Sequence, residues 1–177
     1  MDARNIPFIH KPDYRNFSIC YGHTCNTIET LRLSEQEWGK IRSIFEPAAI
    51  SAVNEREQIT VAIAEMETMV GIKTGTQNDL PENFSGLGLY GQLDCVDEST
   101  NTSVYLTIMQ ADNLLRWHRV EKRASRGIGS FQVPHFTAVI RDTQDDVTYA
   151  VDSWYLANGE PPFIVPMTQW RKGWRPE

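Results

Sequence analysis

Apolar and polar positions alternate over Thr27-Ile28-Glu29-Thr30-Leu31-Arg32-Leu33, the period-two pattern of a half-buried strand. The pattern then changes to helical spacing. Ser34-Glu35-Gln36-Glu37 has the form of a capping box, and Trp38, Ile41 and Phe45 follow on one face until Pro47. A second helix is expected with Asn54 as its cap, Ile59, Ala62, Ile63, Met66 and Val70 as its buried stripe and Gly71 at its stop. A third is expected from Cys95 to about residue 122, because Val104, Ile108, Ala111 and Leu115 are spaced three and four apart. Residues 1–26, with Pro7, Pro12 and Gly22, read as an irregular N-terminal segment. Lys73 to Gln92, rich in Gly, Asn, Pro and Ser, reads as a long loop. Two alternating strands, Phe131 to Arg141 and Asp146 to Tyr155, flank the acidic turn Asp142-Thr143-Gln144-Asp145, and a turn at 158–162 precedes a short strand, Phe163 to Pro166.

Composition narrows the class. The chain has 177 residues, 41% hydrophobic and 10% aromatic, with no repeat or low-complexity tract, which predicts a single compact domain over 1–177. Seventeen Lys+Arg against 23 Asp+Glu give a net charge of −6, which argues against a general nucleic-acid binder, since phosphate contacts need clustered positive charge. Apolar stretches are interrupted by Thr, Glu or Asp far short of the ~20 residues that cross a bilayer, so no integral membrane segment is expected. The polar start Met1-Asp2-Ala3-Arg4-Asn5 has no apolar leader region; an exported, periplasmic location would require a longer precursor, with a cytoplasmic one as the alternative.

Three cysteines cannot all pair within one chain. Cys20 and Cys25 are close enough to close a small loop, while Cys95 stands alone. A disulfide is the preferred reading of the first two. Zinc bound by them with His10 and His23 has the wrong spacing. Cys95 lies where the long loop ends and helical spacing begins, so its sulfur is expected near a helix N-terminus, which favours the thiolate. Asp94 and Asp97 oppose this, and a histidine is needed to compensate. His135 is placed for it. With Arg141 opposite Asp146 in the hairpin, His135 faces Asp152 directly, the arrangement in which an imidazole donates to an orienting carboxylate.

Cysteine at a helix start in Asp94-Cys95-Val96-Asp97, then His135 and Asp152 on successive strands, resembles the transglutaminase-like cysteine peptidases of bacteria over roughly residues 90–155. The resemblance implies an α+β fold with a papain-like core, in which N-terminal helices and the nucleophile-bearing helix pack on an antiparallel sheet. It implies Cys95 as nucleophile, His135 as base and Asp152 as orienter in a thiol hydrolase acting through an acyl-enzyme on a protein or peptide substrate. Papain-like enzymes use a glutamine upstream of the nucleophile for the oxyanion, which points to Gln92. No cofactor is required. Some relatives bind calcium through acidic residues near the nucleophile; Asp94 and Asp97 are the candidate ligands. Leu93 and Val96, however, stand where exported members often carry glycine and glutamate, and a capping or solvated role is favoured for both aspartates. Acyl transfer to an amine and a non-catalytic binding module retaining the fold are the competing readings.

Two charged segments complete the pattern. Arg116-Trp117-His118-Arg119-Val120-Glu121-Lys122-Arg123 reads as the solvated end of the third helix, with substrate steering as the alternative. The tail Trp170-Arg171-Lys172-Gly173-Trp174-Arg175 is expected to pack back on the domain, with contact to a partner, a polysaccharide or a membrane surface as the alternative.

Overall fold

The computed structural model describes residues 8–82, 91–128 and 134–177. In chain order it contains β1 (Phe17–Tyr21), β2 (Thr27–Leu31), α1 (Glu35–Ile44), α2 (Ala52–Thr74), α3 (Cys95–Ala111), β3 (His118–Arg126), β4 (His135–Asp142), β5 (Thr148–Asp152), β6 (Phe163–Pro166) and α4 (Met167–Trp170). β1 and β2 form an antiparallel hairpin. The other strands form an antiparallel sheet in the order β3-β4-β5-β6. The fold is α+β, with four helices and two antiparallel sheets among the described residues.

The period-two alternation of the four-stranded sheet assigns its faces. Ala138, Ile140 and Val151 pack into the large core with Ile59, Ile63 and Met66 of α2 and Tyr105, Leu106, Ile108 and Met109 of α3. Val139 and Ala150 point the other way, against Met167 and Trp170 of the C-terminal segment. The tail therefore does pack back, and Trp170 is fully buried. Arg126 holds it there, with its guanidinium 4.5 Å from the centre of the Trp170 ring and donating to Tyr155 Oη and to the Trp170 and Trp174 carbonyls.

Local signals set α1 as expected. Ser34 Oγ accepts from Glu37 N–H at 3.1 Å while Glu37 accepts from Ser34 N–H at 2.7 Å. α2 begins earlier than expected, with Ser51 rather than Asn54 as cap: Ser51 Oγ accepts from Asn54 N–H. It also continues past Gly71 to Gly75, whose φ of 79° ends it in the left-handed conformation. Gly71 serves close packing instead, since a Cβ there would lie 3.1 Å from the Gln77 backbone and 2.8 Å from Asn158 Nδ2.

Three expectations are corrected. The segment 1–26 is not wholly irregular, because β1 pairs with β2 along its whole length. Phe17, Ser18, Ile19 and Cys20 are all buried, so β1 lacks the alternation that reveals a half-exposed strand. The third helix stops at Ala111, not near residue 122. Asp112 at its C-cap accepts from Trp38 Nε1 and from Arg42 Nε and Nη2, and Asn113 turns into the left-handed region at φ 59°. Leu115 keeps the helical spacing only because it packs on the same core from outside the helix. Consequently the basic run from Arg116 is not a helix end, and His118 onward forms β3.

The third correction concerns the β4–β5 hairpin. Arg141 pairs with Thr148 and Ala138 with Val151, two residues away from the register in which His135 faces Asp152. The part of the expected first strand at 131–133 lies outside the described residues.

Candidate active site

A slip of two residues leaves every side chain on its original face, because the strand period is two. His135 and Asp152 therefore still meet, diagonally: His135 Nε2 lies 2.7 Å from Asp152 Oδ2, both side chains being almost fully buried. Since the carboxylate accepts, Nε2 carries the proton and Nδ1 presents its lone pair. Nδ1 is buried and has no hydrogen-bond partner among the described residues. The same Asp152 oxygen accepts from Trp170 Nε1 at 2.7 Å. Trp154, Tyr155 and Trp170 surround the imidazole, with ring centres 4.9, 5.4 and 5.6 Å from its own.

Cys95 is the first residue of α3 and the free cysteine of the described chain, half-buried. Its sulfur lies against the backbone N–H of Phe136, the residue after His135, and within electrostatic reach of Asp152. Fold and hydrogen bonding thus bring the three expected residues to one end of the sheet. The thiol does not behave as its helix position suggests. Burial pushes it up to about 11, and the carboxylates of Asp94 and Asp152 push in the same direction, outweighing the Phe136 N–H.

Asp94 caps α3, its Oδ1 accepting from Val96 and Asp97 N–H, and Asp97 reciprocates by accepting from Asp94 N–H. The remaining contacts of these two carboxylates run to the hairpin tip. His23 N–H and Cys25 N–H reach Asp97 at 2.8 and 2.6 Å, and Thr24 N–H reaches Asp94 at 2.8 Å. Those donors converge because Gly22, His23, Thr24 and Cys25 all have φ between 53° and 84°. Successive left-handed residues aim their N–H groups into one concavity that suits an anion. The Cys20–Cys25 disulfide closes this turn, so these sulfurs are not thiolates offered with Asp97 to a metal. Every carboxylate oxygen of Asp94 and Asp97 already accepts an N–H, a donor set that does not fit calcium. Asp97 is fully buried rather than solvated; burial and the Asp94 charge push its carboxyl up to about 6 against the pull of those donors.

Gln92 is buried three residues before Cys95. Its Nε2 donates to Asn78 O at 3.1 Å and its Oε1 accepts from Leu80 N–H at 3.3 Å, so its carboxamide braces the loop that leads to Cys95.

Sequence reasoning passed over Trp170 as a second partner of Asp152, and took Arg123 only as part of a basic run with a steering alternative, not as a group within electrostatic reach of Cys95. An isolated tryptophan in a tail shows no spacing to its partner, and the placement of Arg123 depends on an irregularity of β3 that leaves no trace in composition.

The structure defines an α+β protein with a free cysteine at the start of a helix and, at the same end of its antiparallel sheet, a buried histidine–aspartate pair. No family model, curated protein or solved structure matches the chain. No helix of the described residues is long and apolar enough to cross a membrane.

Proposed function

We propose that the protein is a thiol hydrolase of the transglutaminase-like, papain-like class, cleaving a peptide or amide through a Cys95 acyl-enzyme. The observation that carries this reading is the 2.7 Å His135–Asp152 contact made through Nε2, which leaves buried Nδ1 unbonded among the described residues and free to act as a base, in the residue that precedes the Phe136 N–H facing the sulfur. Asp152, itself fixed by Trp170, holds the imidazole in this tautomer.

His135 Nδ1 takes the Cys95 proton as the sulfur bonds to the carbonyl carbon. The oxyanion is met by the Cys95 backbone N–H, and Gln92 stays the candidate second donor. The imidazolium then protonates the departing amine, and water releases the acyl group by the reverse proton path. A thiol at about 11 holds its proton in the resting site, so proton transfer accompanies attack rather than preceding it. The Cys20–Cys25 bond suits an oxidising compartment.

Alkylation by iodoacetamide at pH 7, followed by intact mass, tests this reading. Without proton transfer to His135, a thiol at about 11 is ionised to about one part in ten thousand at pH 7, against a few per cent for a free cysteine peptide. His135→Ala is therefore expected to react about two orders of magnitude more slowly than the peptide, and the native protein, in which Nδ1 takes the proton as the sulfur attacks, about tenfold or more faster than the variant. A native rate unchanged by His135→Ala refutes the reading.

A further inference from the structure

β3 carries one residue more than its partner strand accommodates. Glu121 faces Val139, but Ala124 faces Thr137, so Lys122 and Arg123 share the place opposite Ala138. Such a bulge advances the period-two phase by one. Without it, Arg123 would lie on the sheet face of Glu121 and Arg141. With it, the side chain turns onto the first turns of α3, where Nη1 reaches Val96 O at 3.2 Å, Ser99 Oγ at 3.1 Å and Thr100 Oγ1 at 2.7 Å.

The tether places the guanidinium at the reacting end of the fold. Val96 follows Cys95, and the Phe136 ring, 6.0 Å from the guanidinium carbon, belongs to the residue that follows His135. The charge lies within electrostatic reach of the sulfur. Only Nη1 is tethered; Nε and Nη2 have no acceptor among the described residues, and Arg123 is exposed. That open edge is a planar pair of parallel donors, the geometry that matches two carboxylate oxygens. The net charge of −6 does not forbid an acidic ligand, because exposed charges beyond ~8 Å are screened at physiological salt whereas a direct contact is not.

We propose that Arg123 is the specificity-determining residue of this site, its Nε–Nη2 edge taking a carboxylate carried close to the acyl group that Cys95 attacks. The proposal rests on the thiol chemistry above. The substrate class it names is an acidic peptide, whose carboxylate comes either from an Asp or Glu side chain or from the chain end.

The test compares Cys95 alkylation by iodoacetate, which carries a carboxylate beside the reacting carbon, with alkylation by neutral iodoacetamide, both normalised to a free cysteine peptide. His135 influences this ratio equally in native and variant protein, so the change caused by Arg123→Gln isolates the guanidinium. The iodoacetate preference is expected to fall about tenfold in Arg123→Gln. Arg123→Lys, which keeps the charge without the fork, is expected to retain part of it and serves if the glutamine variant does not fold. A ratio unchanged in the folded variant overturns the proposal whatever the absolute rates, whereas the hydrolase reading fails separately, on a native iodoacetamide rate unchanged by His135→Ala. Protection of the native thiol by amide-capped peptides bearing one Glu assigns a side-chain carboxylate. Protection by uncharged peptides with a free C-terminus assigns the chain end, and protection by neither at millimolar concentration overturns the proposal.

Discussion

Three carboxyls, from Glu67, Asp79 and Glu98, are buried within electrostatic reach of one another. Glu67 Oε2 accepts from Gly159 N–H, Asp79 Oδ1 from Leu93 N–H and Glu98 Oε2 from Ser153 Oγ, while Glu67 Oε1 is buried without a hydrogen-bond partner among the described residues. Burial pushes Glu67 up to about 8 and Asp79 to about 6; burial and the charges of the other two hold Glu98 well above its ordinary value. The folded protein therefore keeps protons that the unfolded chain gives up. Stability from this source is complete below the ordinary carboxyl range near 4.5 and is lost as pH rises towards 8. One retained proton contributes about 1.4 kcal/mol per pH unit, hence about 3 kcal/mol between pH 6 and 8. For a domain of this size that corresponds to a fall in Tm on the order of 6–12 °C. Glu67→Gln keeps an oxygen for the Gly159 N–H and is neutral at every pH. It is expected to lose the Glu67 share of this dependence, leaving that of Glu98, and to melt higher than the native protein at pH 8, with little difference at pH 5. Thermal unfolding followed by circular dichroism from pH 5 to 8 measures both curves. A flat native curve, or a Glu67→Gln curve parallel to it, refutes the coupling between burial and ionisation in this cluster.

The His135–Asp152 pair and the hairpin clamp give two further expectations. Asp152→Asn leaves an acceptor for Trp170 Nε1 but removes the charge that stabilises a protonated His135; Cys95 alkylation by iodoacetamide at pH 7 should slow about tenfold or more, and an unchanged rate would mean that Asp152 has no part in activating the thiol. Asp97→Asn sets an amide NH2 against N–H donors that now meet an oxygen, and is expected to cost about 2–3 kcal/mol in denaturant unfolding. A loss below about 0.5 kcal/mol would show the clamp to be energetically idle.

How much was legible in the chain depended on how local the determinant was. The α1 capping box involves residues three apart and was read correctly. The His135–Asp152 pair was read correctly from a register that is wrong by two residues, because face assignment survives an even slip while the facing partner does not. β1 was missed because both of its faces are buried, and the end of α3 was missed because Leu115 continues the apolar spacing after the backbone has turned. The direction of the Cys95 shift was misjudged because a helix N-terminus is visible in sequence whereas the depth of burial around the sulfur is not. The β3 bulge, on which the placement of Arg123 depends, is defined only by pairing across strands.

The left-handed turn from Gly22 to Cys25 makes the amino-terminal hairpin an integral support of the proposed site. Its backbone donors hold the capping residue and the third residue of the helix that begins with Cys95, some 70 positions later in the chain. A shortened protein starting at α1 would retain Cys95, His135 and Asp152, yet two anions at the head of α3 would lose the groups that solvate them. The hairpin is thus no dispensable appendage. Insertions and fusions are better accommodated at the exposed Asp145–Asp146 turn, at the far end of the β4–β5 hairpin from the His135–Asp152 pair.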